Sequence, residues 1–212
     1  MEYLEWLIHI DEKLESISAS MGIWMYALLF LIIFCETGLV VTPFLPGDSL
    51  LFAVGAIVAL PGSGLHLAWM LVVLSAAAII GDAVNYWIGR AVGPRVFYSE
   101  SSWLLNKKHL LRAQAFYEKH GGKAIVLARF VPILRTFAPF VAGIGRMNYG
   151  RFWMYNATGG FLWVALFLLG GWHFGNVPIV KRNFELVILV IILLSVVPIV
   201  FEWFRARRHA TA

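Results

Sequence analysis

Four charged residues stand where apolar sequence gives no local reason for charge. Glu36 and Asp48 lie in FLIIFCETGLVVTPFLPGDSLLFAVGAI (30–57), and Arg129 and Arg135 in IVLARFVPILRTFAPFVAGIG (125–145). One guanidinium in hydrocarbon costs roughly 2.5–3.5 kcal/mol on insertion scales, so two nearly cancel the gain from a short apolar helix. Arginine presents a planar fork of donors that matches phosphate oxygens, which makes a phosphate site the functional reading of Arg129 and Arg135. The plainer reading is a pair of structural ion pairs with Glu36 and Asp48. Glu36 sits in an apolar run, and a carboxyl that gains and loses a proton at membrane depth is a candidate proton-coupling group. Asp48 follows Pro46-Gly47 and precedes Ser49, an N-cap context, so capping explains it as readily as proton exchange.

The elements that must hold these groups are interrupted ones. Proline removes a backbone donor and clashes with the preceding turn, so Pro132 and Pro139 are expected to break the arginine segment, and Pro43 and Pro46 the acidic one. Broken backbone at membrane depth is tolerated where protein or a water-filled cavity surrounds it. Both segments are therefore expected as re-entrant hairpins of two half-helices, supported at their bends by Pro46, Gly47, Pro132, Thr136, Pro139 and Gly143. A third motif, GDAVNYWIGR (81–90), places Asp82, Asn85, Tyr86 and Gly89 on one helical face, which should look inward. The plainer reading of Asp82 is an assembly pair with a nearby base such as Arg90.

Composition bounds the class. Of 212 residues, 60% are hydrophobic and only 14% charged, with mean hydropathy +0.78. Soluble domains run nearer 45–50% apolar and about 25% charged. An all-α polytopic membrane protein follows, one membrane domain over 1–212. Net charge is +5, but the basic residues lie in short connecting segments and the tail. They fit cytoplasmic loops and anionic headgroups, not nucleic acid. One cysteine excludes an internal disulfide framework. No Walker, HExxH or GxSxG sequence occurs, so neither a cofactor, a metal nor an enzyme is expected. The acidic first twenty residues lack the basic start of a cleavable signal.

In chain order, residues 2–20 alternate charge with apolar positions and read as a helix lying on a membrane surface. The acidic hairpin follows, then a Pro/Gly turn at 61–66 and a span over 67–93. Residues 94–123 are basic and amphipathic, a second surface helix. The arginine hairpin, a turn at 145–149, a Gly-rich span over 152–175 and a last span over 184–204 complete the chain. Surface helix, broken hairpin and full span thus occur twice, as repeats 1–93 and 94–175, with an extra C-terminal helix. An odd number of crossings per unit inverts the repeats, an architecture of secondary transporters. The basic segment and basic tail place the C-terminus in the cytoplasm and the N-terminus in the periplasm. His173 near a span end reads as interfacial, most of the nine tryptophans as an interfacial belt, and Asn156 and Thr158 as interhelical hydrogen-bonding groups.

The motifs E-T-G (36–38), F-L-P-G-D (44–48), G-D-A-V-N-Y-x-x-G (81–89) and A-R-F-V-P-I-x-R-T-F-A-P-F-x-A-G (128–143) resemble those of the DedA family of integral membrane proteins (VTT, or SNARE-associated, domain). The resemblance covers nearly the whole chain. It implies two opposed re-entrant hairpins in a bacterial inner membrane and movement of lipids such as undecaprenyl phosphate or phosphatidylethanolamine, dependent on proton-motive force. The family's essential acidic and basic positions fall on Glu36, Asp48, Arg129 and Arg135. The expected partners are lipids with anionic headgroups and protons; a homodimer is left open. A proton-coupled ion or small-solute antiporter is the alternative, followed by a non-transporting assembly or stress-sensing protein.

Overall fold

The computed structural model describes residues 22–39, 47–60, 62–93, 115, 117–178 and 180, and every regular element among them is helical. These are α1 (Ile23–Gly38), α2 (Gly47–Val58), α3 (Leu67–Val92), α4 (Lys123–Ala128), α5 (Pro132–Ile144) and α6 (Tyr149–Gly175). The surface helix expected over 2–20, most of the basic segment 94–123, Pro43, Pro46 and the span 184–204 lie outside the described residues.

Among the described residues, two helices are long and apolar enough to cross a membrane, α3 with 26 residues and α6 with 27. At 1.5 Å per residue each runs to about 40 Å, beyond the ~30 Å hydrocarbon core. Both bury polar groups among apolar ones while exposing large apolar side chains. On α3 the buried face carries Ser75, Asp82 and Asn85, while Trp69, Val72, Ile80 and Trp87 are exposed. On α6 Asn156 is buried, while Phe161, Leu162 and Leu166 are exposed. An exposed apolar sheath around buried charge is stable only where the surroundings are also apolar.

Local chemistry sets the boundaries. α3 ends against Gly93, whose φ of +64° is the left-handed conformation that closes a helix. α6 begins after Asn148, whose Oδ1 accepts from the Arg151 amide at 3.2 Å while its carbonyl accepts from Phe152 at 3.0 Å. That is an N-cap, and it starts the span at 149, three residues before the expected 152. α5 closes with paired bonds from Arg146 N to Gly143 O and from Met147 N to Ala142 O, each 3.0 Å. These make a Schellman motif with Arg146 at φ +49°, where glycine is the usual occupant.

Both proline-bearing segments are interrupted. α1 ends at Gly38 and α2 begins at Gly47, while α4 ends at Ala128 and α5 begins at Pro132. Two expectations need correction. Pro139 does not break its helix: it lies inside α5, in a buried stretch with Phe137, Ala138 and Phe140, where tertiary burial outweighs the lost backbone bond. Asp48 is not the N-cap but lies within the first turn of α2, where a carboxylate still meets the positive end of the helix dipole.

The helices form two compact units. One comprises residues 26–39 and 68–165, the other 22–25, 47–67 and 166–180 among those described. In the second, α2 lies directly on the end of α6: a Cβ on Gly171 would stand 2.0 Å from Phe52 O, and one on Gly55 2.1 Å from Leu168 O. The rings of Phe52 and Phe174 meet there at 5.6 Å. The first unit contains the buried charges.

Candidate functional site

The first unit is built around α3. Where α3 crosses α1, a Cβ on Gly38 would lie 3.3 Å from the Gly81 backbone. Where it crosses α5, a Cβ on Gly89 would lie 2.1 Å from Phe140 O, and one on Gly143 2.0 Å from Tyr86 O. Removing side chains at these crossings brings three backbones together and turns the inward face of α3 onto both neighbours. Asp82, Asn85 and Tyr86 on that face are at most 1% exposed.

The break between α4 and α5 supplies the cations. Arg129 caps the C-terminal end of α4, in helical conformation, and Val131 is extended ahead of Pro132, the first residue of α5. Arg135 lies one turn into α5, after its N–H has bonded the Val131 carbonyl at 2.9 Å. Both guanidiniums are buried, 2% exposed at Arg129 and 5% at Arg135.

Each meets a carboxylate on a different helix. Arg135 pairs with Glu36 of α1, and Arg129 with Asp82 of α3. Two cations against two anions leave the cluster without net charge. Arg129 Nη2 also donates to Asn156 Oδ1 at 2.5 Å, and Asn156 Nδ2 donates to the Ile79 carbonyl at 2.9 Å. Arg135 lies over the ring of Trp163, 4.8 Å from its centroid. Gly159 and Gly160 form a floor under Arg129: Cβ atoms there would fall 3.2 Å from its Cδ and Nη2. Asn85 Nδ2 donates to Thr37 O at 3.2 Å and Thr136 O at 2.8 Å.

The pairing differs in one respect from the sequence reading. Asp82 is matched with Arg129, not Arg90, and Arg129 is matched with Asp82, not with an acid of the first broken segment. Arg90 instead donates to Tyr86 Oη at 3.2 Å and lies over the exposed Trp87 ring. Tyr86 Oη donates to Met147 O. Asp48, half-buried, and buried Gly47 belong to the other unit, and Pro46 lies outside the described residues. Thr158 donates within its own helix, to Met154 O at 2.8 Å. Trp163, fully buried, is no interfacial tryptophan but the aromatic floor of Arg135. Its signal was spacing: Asn156, Gly159, Gly160 and Trp163 recur at i, i+3, i+4 and i+7, a single helical face.

Chemically, the cluster holds two guanidiniums, each set against a carboxylate counter-ion. Arg129 Nε and Nη1, Asp82 Oδ1 and Asn85 Oδ1 have no hydrogen-bond partner among the described residues. Buried polar atoms of this kind are ordinarily satisfied, so the cluster has donors and acceptors available for a further polar group.

Helices of bilayer length, apolar outside and charged within, define a polytopic α-helical membrane protein. The VTT domain matches residues 45–173. The chain is 52% identical over 207 residues to Protein DedA of Escherichia coli (strain K12), covering 98% of this chain and 94% of that one. It is 40% identical over 185 residues to an uncharacterized membrane protein of Mycobacterium tuberculosis (86% and 81% covered). It is 35% identical over 179 residues to inner membrane protein YqjA of E. coli (strain K12; 84% and 80% covered). No solved structure matches the chain. The chain belongs to the VTT-domain, or DedA, family of membrane proteins.

Proposed function

We propose that this protein is a proton-coupled lipid transporter of the bacterial inner membrane, a flippase for a phosphate-bearing lipid such as undecaprenyl phosphate or a phospholipid such as phosphatidylethanolamine. One observation carries the reading: two buried guanidiniums face two buried carboxylates inside a helical membrane unit. A buried pair that loses one partner is destabilised by about 3–5 kcal/mol, so the arginines need an anion at every stage. Protonation of Glu36 withdraws the anion from Arg135, and a lipid phosphate takes its place through the guanidinium fork. Deprotonation restores the ion pair and expels the phosphate. Asp48, in the first turn of α2, is the second proposed proton-exchanging carboxyl.

The test is lipid translocation in proteoliposomes, comparing undecaprenyl phosphate with phosphatidylethanolamine, with and without a pH gradient. Arg135→Lys keeps the charge but loses the fork, and transport should fall while the protein still folds. Translocation at the parent rate would remove the phosphate role. A second reading, proton-coupled antiport of an ion or small solute, draws on Asp82 Oδ1 and Asn85 Oδ1, acceptors suited to a cation that have no hydrogen-bond partner among the described residues. It would appear as proton-linked cation flux in liposomes lacking either lipid.

A further inference from the structure

We propose that Asn85 is the positioning residue of the Glu36–Arg135 ion pair. Its side chain is wholly buried on α3, and its Nδ2 bonds the carbonyls of Thr37 at 3.2 Å and Thr136 at 2.8 Å. An amide nitrogen carries two protons, so its donor capacity is complete. The two acceptors are the residues that immediately follow Glu36 and Arg135 in the chain. One planar group therefore fixes two backbone points, each a single Cα step of about 3.8 Å from a partner in the pair.

The acceptor on α1 is a helix-end carbonyl. Thr37 lies in the last turn of α1, where carbonyls have no later amide of their own helix to accept from. Asn85 supplies that donor and so holds the end of α1, with Glu36 on it, in register with the first turns of α5. No other residue type of this size does the same without adding charge. Aspartate would set an oxygen against two carbonyl oxygens, alanine has no donor, and serine has one.

A residue that only ties α1 to α5 would contribute the same stability whatever Glu36 and Arg135 become. A positioning residue contributes through the pair. The full-length protein in detergent distinguishes the two by a double-mutant cycle of Glu36→Gln and Arg135→Gln, read as the shift in Tm and measured with Asn85 present and again in an Asn85→Ala background. The non-additive part of the Tm shift should fall by at least half when Asn85 is replaced. An unchanged non-additive part overturns the proposal. Should the alanine background fail to fold, the cycle is run in Asn85→Ser, which keeps one donor, and the same fall is expected. The inference takes from the proposed transport only the importance of the pair. A parent protein that moves no lipid would remove the flippase reading, while the thermal cycle would still decide the role of Asn85.

Discussion

The Arg129 guanidinium donates to the Asp82 carboxylate, and both side chains are about 1% exposed. Both charges are withdrawn from solvent, so each relies on the other for its counter-charge. Asp82→Ala should lower stability by about 3–5 kcal/mol, the cost of stranding a buried charge. Asp82→Ala combined with Arg129→Met, which removes both charges, should recover much of that loss. Thermal or denaturant unfolding in detergent measures both.

Adjacent glycines on α6 should respond in opposite ways. A Cβ at Gly171 would stand 2.0 Å from Phe52 O, whereas one at Gly170 finds only Phe52 Cε2 at 3.9 Å. Gly171→Ala should destabilise by about 1–3 kcal/mol or more, because the obstacle is backbone. Gly170→Ala should be neutral or stabilising by up to about 1 kcal/mol from helix propensity. Melting of the two single variants settles the contrast.

Arg146 is exposed and holds φ +49° at the close of α5. An L-residue in that conformation carries about 1–2 kcal/mol of strain, which glycine does not. Arg146→Gly should therefore raise stability, by about 1 kcal/mol. At the next helix start, Asn148→Ala should lower it by about 1 kcal/mol through loss of the N-cap.

In transport, Trp163→Leu tests the aromatic floor of Arg135. Loss of a desolvated cation–π contact of about 2 kcal/mol should loosen the guanidinium and slow translocation, whereas Trp163→Phe should retain most of the rate. The Glu36→Gln protein should lose its response to an imposed pH gradient in the same proteoliposomes.

The sequence shows some of this arrangement and hides the rest for physical reasons. Buried arginines in an apolar run were legible because insertion of charge is so costly, and Pro132 marked a helix start because it lacks a donor. The inward face of α3 followed from spacing alone. The partner of Arg129 did not: pairing depends on how closely helices approach, and that distance is set by Gly81, Gly89 and Gly143, whose effect is invisible until the backbones meet. Pro139 misled because its missing donor argues for a break, while the packing of α5 overrides it.

That same proline has a mechanical consequence. Without an N–H at 139, α5 lacks the rung that would run back to residue 135, so the turn bearing the guanidinium is joined to the rest of its rod by one fewer tie. Below it, α5 packs closely against α3 at Gly143. The missing rung therefore sits one turn from the guanidinium, between the turn that carries it and the part of α5 packed on α3 at Gly143.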